Sequence, residues 1–293
     1  MSTSFTALAL NDPQRLELRM PRGRWLATLT HGAQTVISAG PQRRFSERDV
    51  RVTHATWVRA LPAPFDGTID RTWLRRALAA NTQRRPDLLA LGMQYLSGVP
   101  AQREADLQIA GDARYGPLVD GQRQEGSDFN DYLGVPWTYA DGSVDAPEPL
   151  QRCCLDCSGF VRMLWGFRRH APANAPVLAL SRAGSADGSA LPRRAVQMAA
   201  RAPGVLIERN RGVPLRDLSR LGIGDLVFFD ADADDGPRID HVGVYLGIDG
   251  DGHHRFLSSR KGANGPTMAD VRGKSILDGS GRYARSLCAV RRL

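Results

Sequence analysis

Residues 153–161 read Cys-Cys-Leu-Asp-Cys-Ser-Gly-Phe-Val. Asp156 stands directly before a run in which Phe160, Val161, Leu164, Trp165 and Phe167 recur at helical spacing, so the segment predicts a helix capped by Asp156 with one apolar face. Cys157 then falls in the first turn. Unpaired N–H groups and the positive end of the helix dipole favour a thiolate there, and the same N–H groups can receive the oxyanion of a tetrahedral intermediate. A nucleophile so placed needs a base, and His241 opens a strand-like run farther along the chain.

Around this helix the pattern is that of an α+β domain. Asp225–Phe229, His241–Ile248 and Arg255–Ser259 read as strands, the last two joined by the turn Asp249-Gly250-Asp251-Gly252, and Ser286–Arg291 reads as a closing strand. Upstream, residues 15–62 are β-rich. The runs Leu16–Met20, Trp25–Thr30, Thr35–Ser38 and Val50–Leu61 are separated by Pro-Arg-Gly, His-Gly-Ala and Gly-Pro-Gln turn signals. From Asp70 the period changes to helical, with Trp73, Leu74, Ala77 and Leu78 after an Asp cap, and Pro86–Leu96 reads as a second apolar helix. Residues 98–150, rich in Gly, Pro and Asp, read as a long connecting or substrate-covering segment. The expected organisation is a β-rich accessory region with two helices over residues 1–100, which a small SH3-like barrel would fit, a linker over 101–127, and a catalytic domain over 128–293.

At 293 residues, with 42% hydrophobic and 24% charged positions, the chain can build its core without disulfide staples. No apolar run approaches the roughly 20 residues of a membrane span. The net charge is +8, but Lys261 and Lys274 are the only lysines among 39 basic residues. That skew accompanies many Ala, Gly, Pro and Asp residues, as a GC-rich genome produces, so the charge alone does not call for nucleic acid, and none is expected as a partner. The apolar stretch Phe5–Leu10 is short, lacks preceding basic residues and meets Asn11-Asp12-Pro13 at once, which is not the pattern of a secretory signal. The expectation is therefore a chain that is cytoplasmic, already trimmed, or exported by another route. Cys153, Cys154 and Cys157 crowd together while Cys288 stands apart, unlike a disulfide framework. Cys154-Leu155-Asp156-Cys157 matches CxxC, but no second ligand pair follows at zinc-site spacing. No metal or cofactor is expected.

The segments Asp156-Cys157-Ser158-Gly159-Phe160-Val161, Gly224-Asp225-Leu226-Val227-Phe228-Phe229 and His241-Val242-Gly243-Val244-Tyr245-Leu246-Gly247 resemble the NlpC family of bacterial cell-wall cysteine peptidases. Leu191-Pro192-Arg193-Arg194, with Gln197, and Gly134-Val135-Pro136-Trp137 resemble two further family segments, in the family's order. The resemblance covers roughly 128–293. It implies a papain-like fold and hydrolysis of peptidoglycan stem peptides, typically between D-glutamate and a diamino acid, so peptidoglycan or its stem-peptide fragments would be the partner and the cell wall the place of action. By position Cys157 is the nucleophile and His241 the general base and later acid, while Asp156 and Ser158 match residues that bind a substrate amine or position the cysteine loop. Trp137 stands where the family has Tyr, and Tyr139 is the nearby residue able to supply that polar contact. The family's third catalytic residue, most often His, falls on Ser258. Hairpin arithmetic agrees: pairing Ile248 with His253 carries the register to Gly243 opposite Ser258, on the face of His241.

Serine orients imidazole but brings no charge to stabilise imidazolium. Two alternatives therefore stand beside the peptidase: an amidase or acyltransferase on the same fold, and a non-catalytic wall-binding protein. Among other features, Asp225 reads as stabilising the turn before its strand. Cys154 reads as packing, with a reversible link to Cys157 as the alternative. Asp230 to Gly236 starts like a calcium loop, but its sixth and twelfth positions are Asp235 and His241, so it reads as a solvated loop. His253-His254 reads as a hairpin edge, and Arg123 and Arg291-Arg292 as solvated faces.

Overall fold

The computed structural model describes residues 4–172, 178–183, 188–232, 236 and 238–293. Five strands come first: β1 (Thr6–Leu10), β2 (Arg15–Arg19), β3 (Trp25–Thr30), β4 (Thr35–Glu47) and β5 (Val50–Ala60). They pair in chain order as an antiparallel meander with β1 and β5 on the outside, so no ladder closes the sheet into a barrel. The apolar stretch near the start of the chain supplies β1, paired with β2 from Thr6–Arg19 to Leu10–Arg15. β4 runs past Ser38 because the Gly-Pro turn signal is spent on a bulge between Ala39 and Arg43 rather than on a strand end. Gly40 is required there: a Cβ would lie 2.3 Å from the Trp57 ring.

Helix α1 (Arg71–Thr82) starts at Asp70, whose carboxylate accepts the Thr72 and Trp73 amides, and it lays Trp73, Leu74 and Ala77 on Leu18, Leu29 and Val36. Helix α2 (Leu88–Gly92) is shorter than the apolar run predicts and passes into a 3₁₀ turn over Met93–Tyr95. Its cap, Asp87, is fully buried and is tied to β4 and β5 by Arg43 (2.6 and 2.7 Å) and by the Val58 amide (2.6 Å). The connecting segment carries three small antiparallel ribbons, Gln102–Glu104 with Leu107–Ala110, Leu118–Val119 with Gln122–Arg123, and Trp137–Thr138 with Val144–Asp145.

The remainder is a six-stranded antiparallel sheet with helices around it. Helix α3 (Phe129–Leu133) has a capping box made by Asp128 and Asp131. Helix α4 (Cys157–Arg162) continues into a π-helical turn, Met163–Phe167, and α5 (Ala195–Arg201) follows. The strands are β6 (Val205–Glu208), β7 (Leu226–Phe229), β8 (His241–Ile248), β9 (His254–Arg260), β10 (Gly265–Thr267) and β11 (Leu287–Arg292), with α6 (Arg282–Ser286) before the last. Their order in the sheet is β6-β11-β7-β8-β9-β10. The closing strand thus enters the sheet's interior, which corrects the expectation for its arginines. Arg291 is buried and donates to the carbonyls of Ala199 and Ala202, and Arg292 is buried in a forked pair with Asp225 (2.7 and 2.8 Å). Asp225 also accepts the Gly222 amide at 2.7 Å, the turn contact expected of it.

One core joins the two sheets. Phe160, Val161, Leu164 and Trp165 pack against Val242, Val244 and Leu257, and the same cluster takes in Phe45, Val52 and Val58 from the first sheet. The Glu47 carboxylate at the end of β4 accepts from Thr267 Oγ1 and from the Met268 and Ala269 amides, at 2.7 to 3.0 Å. The Gly250 amide donates to Arg51 at 3.0 Å. The protein is a mixed α+β fold in which the first sheet buttresses the hairpin that carries His241. No helix among the described residues is long and apolar enough to cross a membrane.

Candidate active site

Asp156 caps α4 by accepting the Gly159 amide at 2.7 Å, which sets Cys157 at the first helical position. The Cys157 sulfur lies 3.9 Å from the Asp240 carbonyl, and the Val242 N–H faces it. The backbone on both sides of His241 therefore touches the thiol. Helix start and strand start meet end to end, and the packing of α4 across β8 and β9 fixes where they meet.

His241 Nε2 lies 2.9 Å from Ser258 Oγ. The register that brings them together differs from a uniform hairpin. Ile248 pairs with His254 instead of His253, and a bulge between Tyr245 and Gly247 then restores Val244 to Leu257, so that Gly243 comes opposite Ser258 after all. A Cβ on Gly243 would stand 3.1 Å from Ser258 Cβ and 2.7 Å from the Phe256 ring. Glycine therefore permits the close approach of the two strands at the level of the imidazole. His254 turns instead to the Tyr245 hydroxyl at 2.8 Å, and His253 to Asp278 at 2.9 Å.

The imidazole is buried among rings. Phe229 lies 5.7 Å and Tyr283 5.3 Å from its centroid, and Tyr283 also touches Phe229 and Phe256, each at 5.1 Å. Burial, with the Arg260 and Arg282 guanidinium groups, lowers the His241 pKa to about 3. Burial and the adjacent Asp156 carboxylate push the Cys157 thiol up. Both shifts favour the uncharged form of each group.

In front of the sulfur opens a cleft of about 740 Å³, whose lining includes Tyr115, Glu125, Tyr139, Cys157, Arg193 and Asp240. Asp156 and Ser158 line it too, but Arg193 holds both: it reaches Asp156 at 2.7 and 3.2 Å and Ser158 Oγ at 2.7 Å. Burial opposes ionisation of Asp156, yet the Arg193 charge and its hydrogen bonds keep the carboxyl below its usual range. Arg162, fully buried on α4, binds both oxygens of Asp128 and donates to the Tyr139 hydroxyl at 3.0 Å. Tyr139 in turn donates to Asp145 at 3.1 Å. On the same wall Asp131 is pushed up to about 8 by burial and by the neighbouring Glu148. Trp137 is placed differently from the expectation. It is not among the cleft's lining residues and packs edge-on to Phe129 at 4.9 Å and near Phe167 at 6.2 Å.

The four thiols are free, and Cys154 is buried with its sulfur 3.6 Å from the Arg152 carbonyl. Among the described residues no group of three or more His, Cys, Asp or Glu side chains is disposed to hold a metal. Of the calcium-loop stretch, positions 233–235 lie outside the described residues; Asp240 accepts the Ala231 and Asp232 amides at 2.7 and 2.6 Å.

Tyr115, Arg193, the Asp131–Glu148 pair and Tyr283 are site residues that sequence reasoning did not assign. Arg193 sits in the Leu191–Arg194 segment, and its pairing with Asp156 and Ser158 is set only by the fold. Tyr283 lies in Gly-Arg-Tyr-Ala-Arg, which carries no local signal at all.

No family model matches the sequence, and no curated protein matches it. Among solved structures there is a distant likeness to an NlpC/P60 family protein from Bacillus cereus, with 12% identity and a TM-score of 0.27, spanning 98% of this chain and 78% of that one. A likeness that weak leaves the residues of the cleft as the ground for a functional reading.

Proposed function

We propose that the protein is a cysteine endopeptidase of the NlpC type, with a papain-like catalytic domain over 128–293, acting on peptidoglycan stem peptides. The observation that carries this reading is the meeting of the Cys157 sulfur with the backbone flanking His241, whose Nε2 lies 2.9 Å from Ser258 Oγ. In this mechanism Cys157 attacks the scissile carbonyl and its proton passes to His241, so thiolate and imidazolium arise together and only on attack. The carbonyl oxygen develops charge beside the Cys157 amide in the first turn of α4, where no intrahelical acceptor competes for the N–H. His241 then protonates the leaving amine, and water, deprotonated by the same imidazole, releases the acyl group. Ser258 orients the ring. The wall formed by Tyr139, Asp156, Ser158 and Arg193 receives the polar end of the peptide, and the bond cut is the one between D-glutamate and the diamino acid.

The test is digestion of purified peptidoglycan by the wild type and by Cys157→Ala, followed by mass analysis of the fragments. New free termini at the D-glutamyl bond with wild type alone are the expected result. Identical fragment patterns would remove the peptidase reading, and a new amide or ester in place of free termini would replace hydrolysis by acyl transfer.

A further inference from the structure

We infer that Tyr283 is a positioning residue for the proposed reaction: its ring fixes the plane of the His241 imidazole, a restraint that Ser258 alone does not supply. The inference rests on the reading of Cys157 and His241 as nucleophile and base.

A single hydrogen bond to one ring nitrogen leaves an imidazole free to swing about that bond. Serine, with one rotatable hydroxyl, restrains direction less than a carboxylate or a second imidazole does. What surrounds His241 therefore decides where its other nitrogen points. Strands β7 and β9 supply Phe229 and Phe256, 4.9 Å apart, and neither belongs to the element that could close over them. Tyr283, from α6, touches three rings at once: His241 at 5.3 Å, and Phe229 and Phe256 at 5.1 Å each. Its own position is held from behind by Arg260, whose guanidinium carbon lies 5.5 Å from the phenol centroid. Arg260 is itself immobilised, buried and donating to the Ala269 and Gly273 carbonyls at 2.8 and 3.0 Å. The chain of contacts runs from the 269–273 loop through Arg260 and Tyr283 to the base.

The groups around the imidazole are Arg260 from β9, Arg282 and Tyr283 from α6, and Asp156 and Cys157 from α4; burial, with the two arginines adding to it, lowers its pKa. Tyr283 adds no charge to this set at neutral pH, because burial raises its hydroxyl pKa above the usual value. Its contribution is steric and aromatic. Loosening the ring is therefore predicted to slow proton transfer without altering the pKa of the base.

The experiment measures alkylation of Cys157 by iodoacetamide across pH 5 to 8, which needs no substrate, alongside kcat and KM on a stem peptide. Tyr283→Phe keeps the ring, gives up only the hydroxyl's hydrogen bond with Arg260, and should stay within about twofold of the wild type. Tyr283→Leu, of similar bulk but with no planar face, should lower the alkylation rate at every pH in that range and kcat by about tenfold, with KM within about twofold. Far-ultraviolet circular dichroism and the melting temperature establish that each variant is folded. Should Leu destabilise the fold, Tyr283→Met is the second non-aromatic variant. Equal rates for Phe and the folded aliphatic variant would overturn the inference, as would a change confined to KM. Because alkylation reports the thiol and imidazole alone, loss of peptidoglycan cleavage and loss of this effect are separate outcomes.

Discussion

At the scale of single residues, burial favours the uncharged forms of both Cys157 and His241. Ser258 accepts or donates one hydrogen bond and cannot stabilise an imidazolium by charge, so its removal costs orientation rather than electrostatics. Ser258→Ala should lower kcat by about tenfold, whereas His241→Ala, which removes the base, should lower it by about a hundredfold or more. Steady-state rates on a stem peptide decide this, and a Ser258→Ala loss as large as that of His241→Ala would show that serine does more than orient. Arg193 makes a comparable point about residue types. Asp156 and Ser158 look like open polar contacts for a substrate amine when read along the chain, but both are engaged by one guanidinium. Arg193→Ala should leave Asp156 buried without its counter-charge, and the expected result is a lower melting temperature with weaker peptide binding. An unchanged KM would mean that the wall is not where the peptide rests.

Among elements, the hairpin of β8 and β9 sets the geometry of the base. Its turn is one residue out of the simplest register, and the bulge after Tyr245 corrects the slip before the strand reaches the site. Gly243 is the position where this correction becomes visible. A methyl group there meets Phe256 and Ser258 Cβ at 2.7 and 3.1 Å, so Gly243→Ala must push β9 away at the level of the imidazole. The expected outcome is a loss of stability of about 1–3 kcal/mol, as overpacking produces, together with a fall in kcat. Chemical denaturation and kinetics on the same preparation check it; a stable variant with full activity would contradict the register. The helices were legible in part. The Asp70 and Asp156 caps and the apolar face beginning at Phe160 are local signals, and α1 and α4 start where those signals place them. Helix α2 passes into a 3₁₀ turn at Met93, and the ties that hold its Asp87 cap to β5 and Arg43 are tertiary, with no local signal.

For the molecule as a whole, buried His170 and His241 and half-buried His54 make stability depend on pH. Burial lowers His54 and His170 to about 4 each, with Arg43 adding to the shift at His54, and lowers His241 to about 3, against an unfolded value of 6.5. Folded values below the unfolded one mean that the unfolded chain binds more protons as pH falls from about 6.5 toward 4, so stability is full above that window and is lost through it. Asp131 works the other way: burial and Glu148 raise it to about 8, so it contributes stability at low pH that is lost as pH rises. Three histidines against one carboxyl leave a net loss of roughly 3 kcal/mol between pH 6.5 and 5, a large share of an ordinary domain's stability. Urea midpoints across that range measure it, and His170→Gln should reduce the slope by about one proton. A midpoint that rises on acidification would refute the lowered values assigned to these histidines.

The sequence alone determined the local chemistry: a cysteine at a capped helix start, a histidine opening a strand, and periodic patterns that separate strands from helices, all set by neighbours within a few residues. Only the tertiary structure decided how those pieces are used. The first sheet shares a core with the second through Phe45, Val52 and Val58. β11 enters the sheet between β6 and β7 and buries Arg291 and Arg292. Trp137 turns away from the cleft toward Phe129, and Tyr283 arrives over His241 from a short helix with no motif. The physical reason is the same in each case. Caps, turns and alternation are properties of contiguous backbone, whereas counter-charges and ring contacts depend on which distant segments the fold packs together.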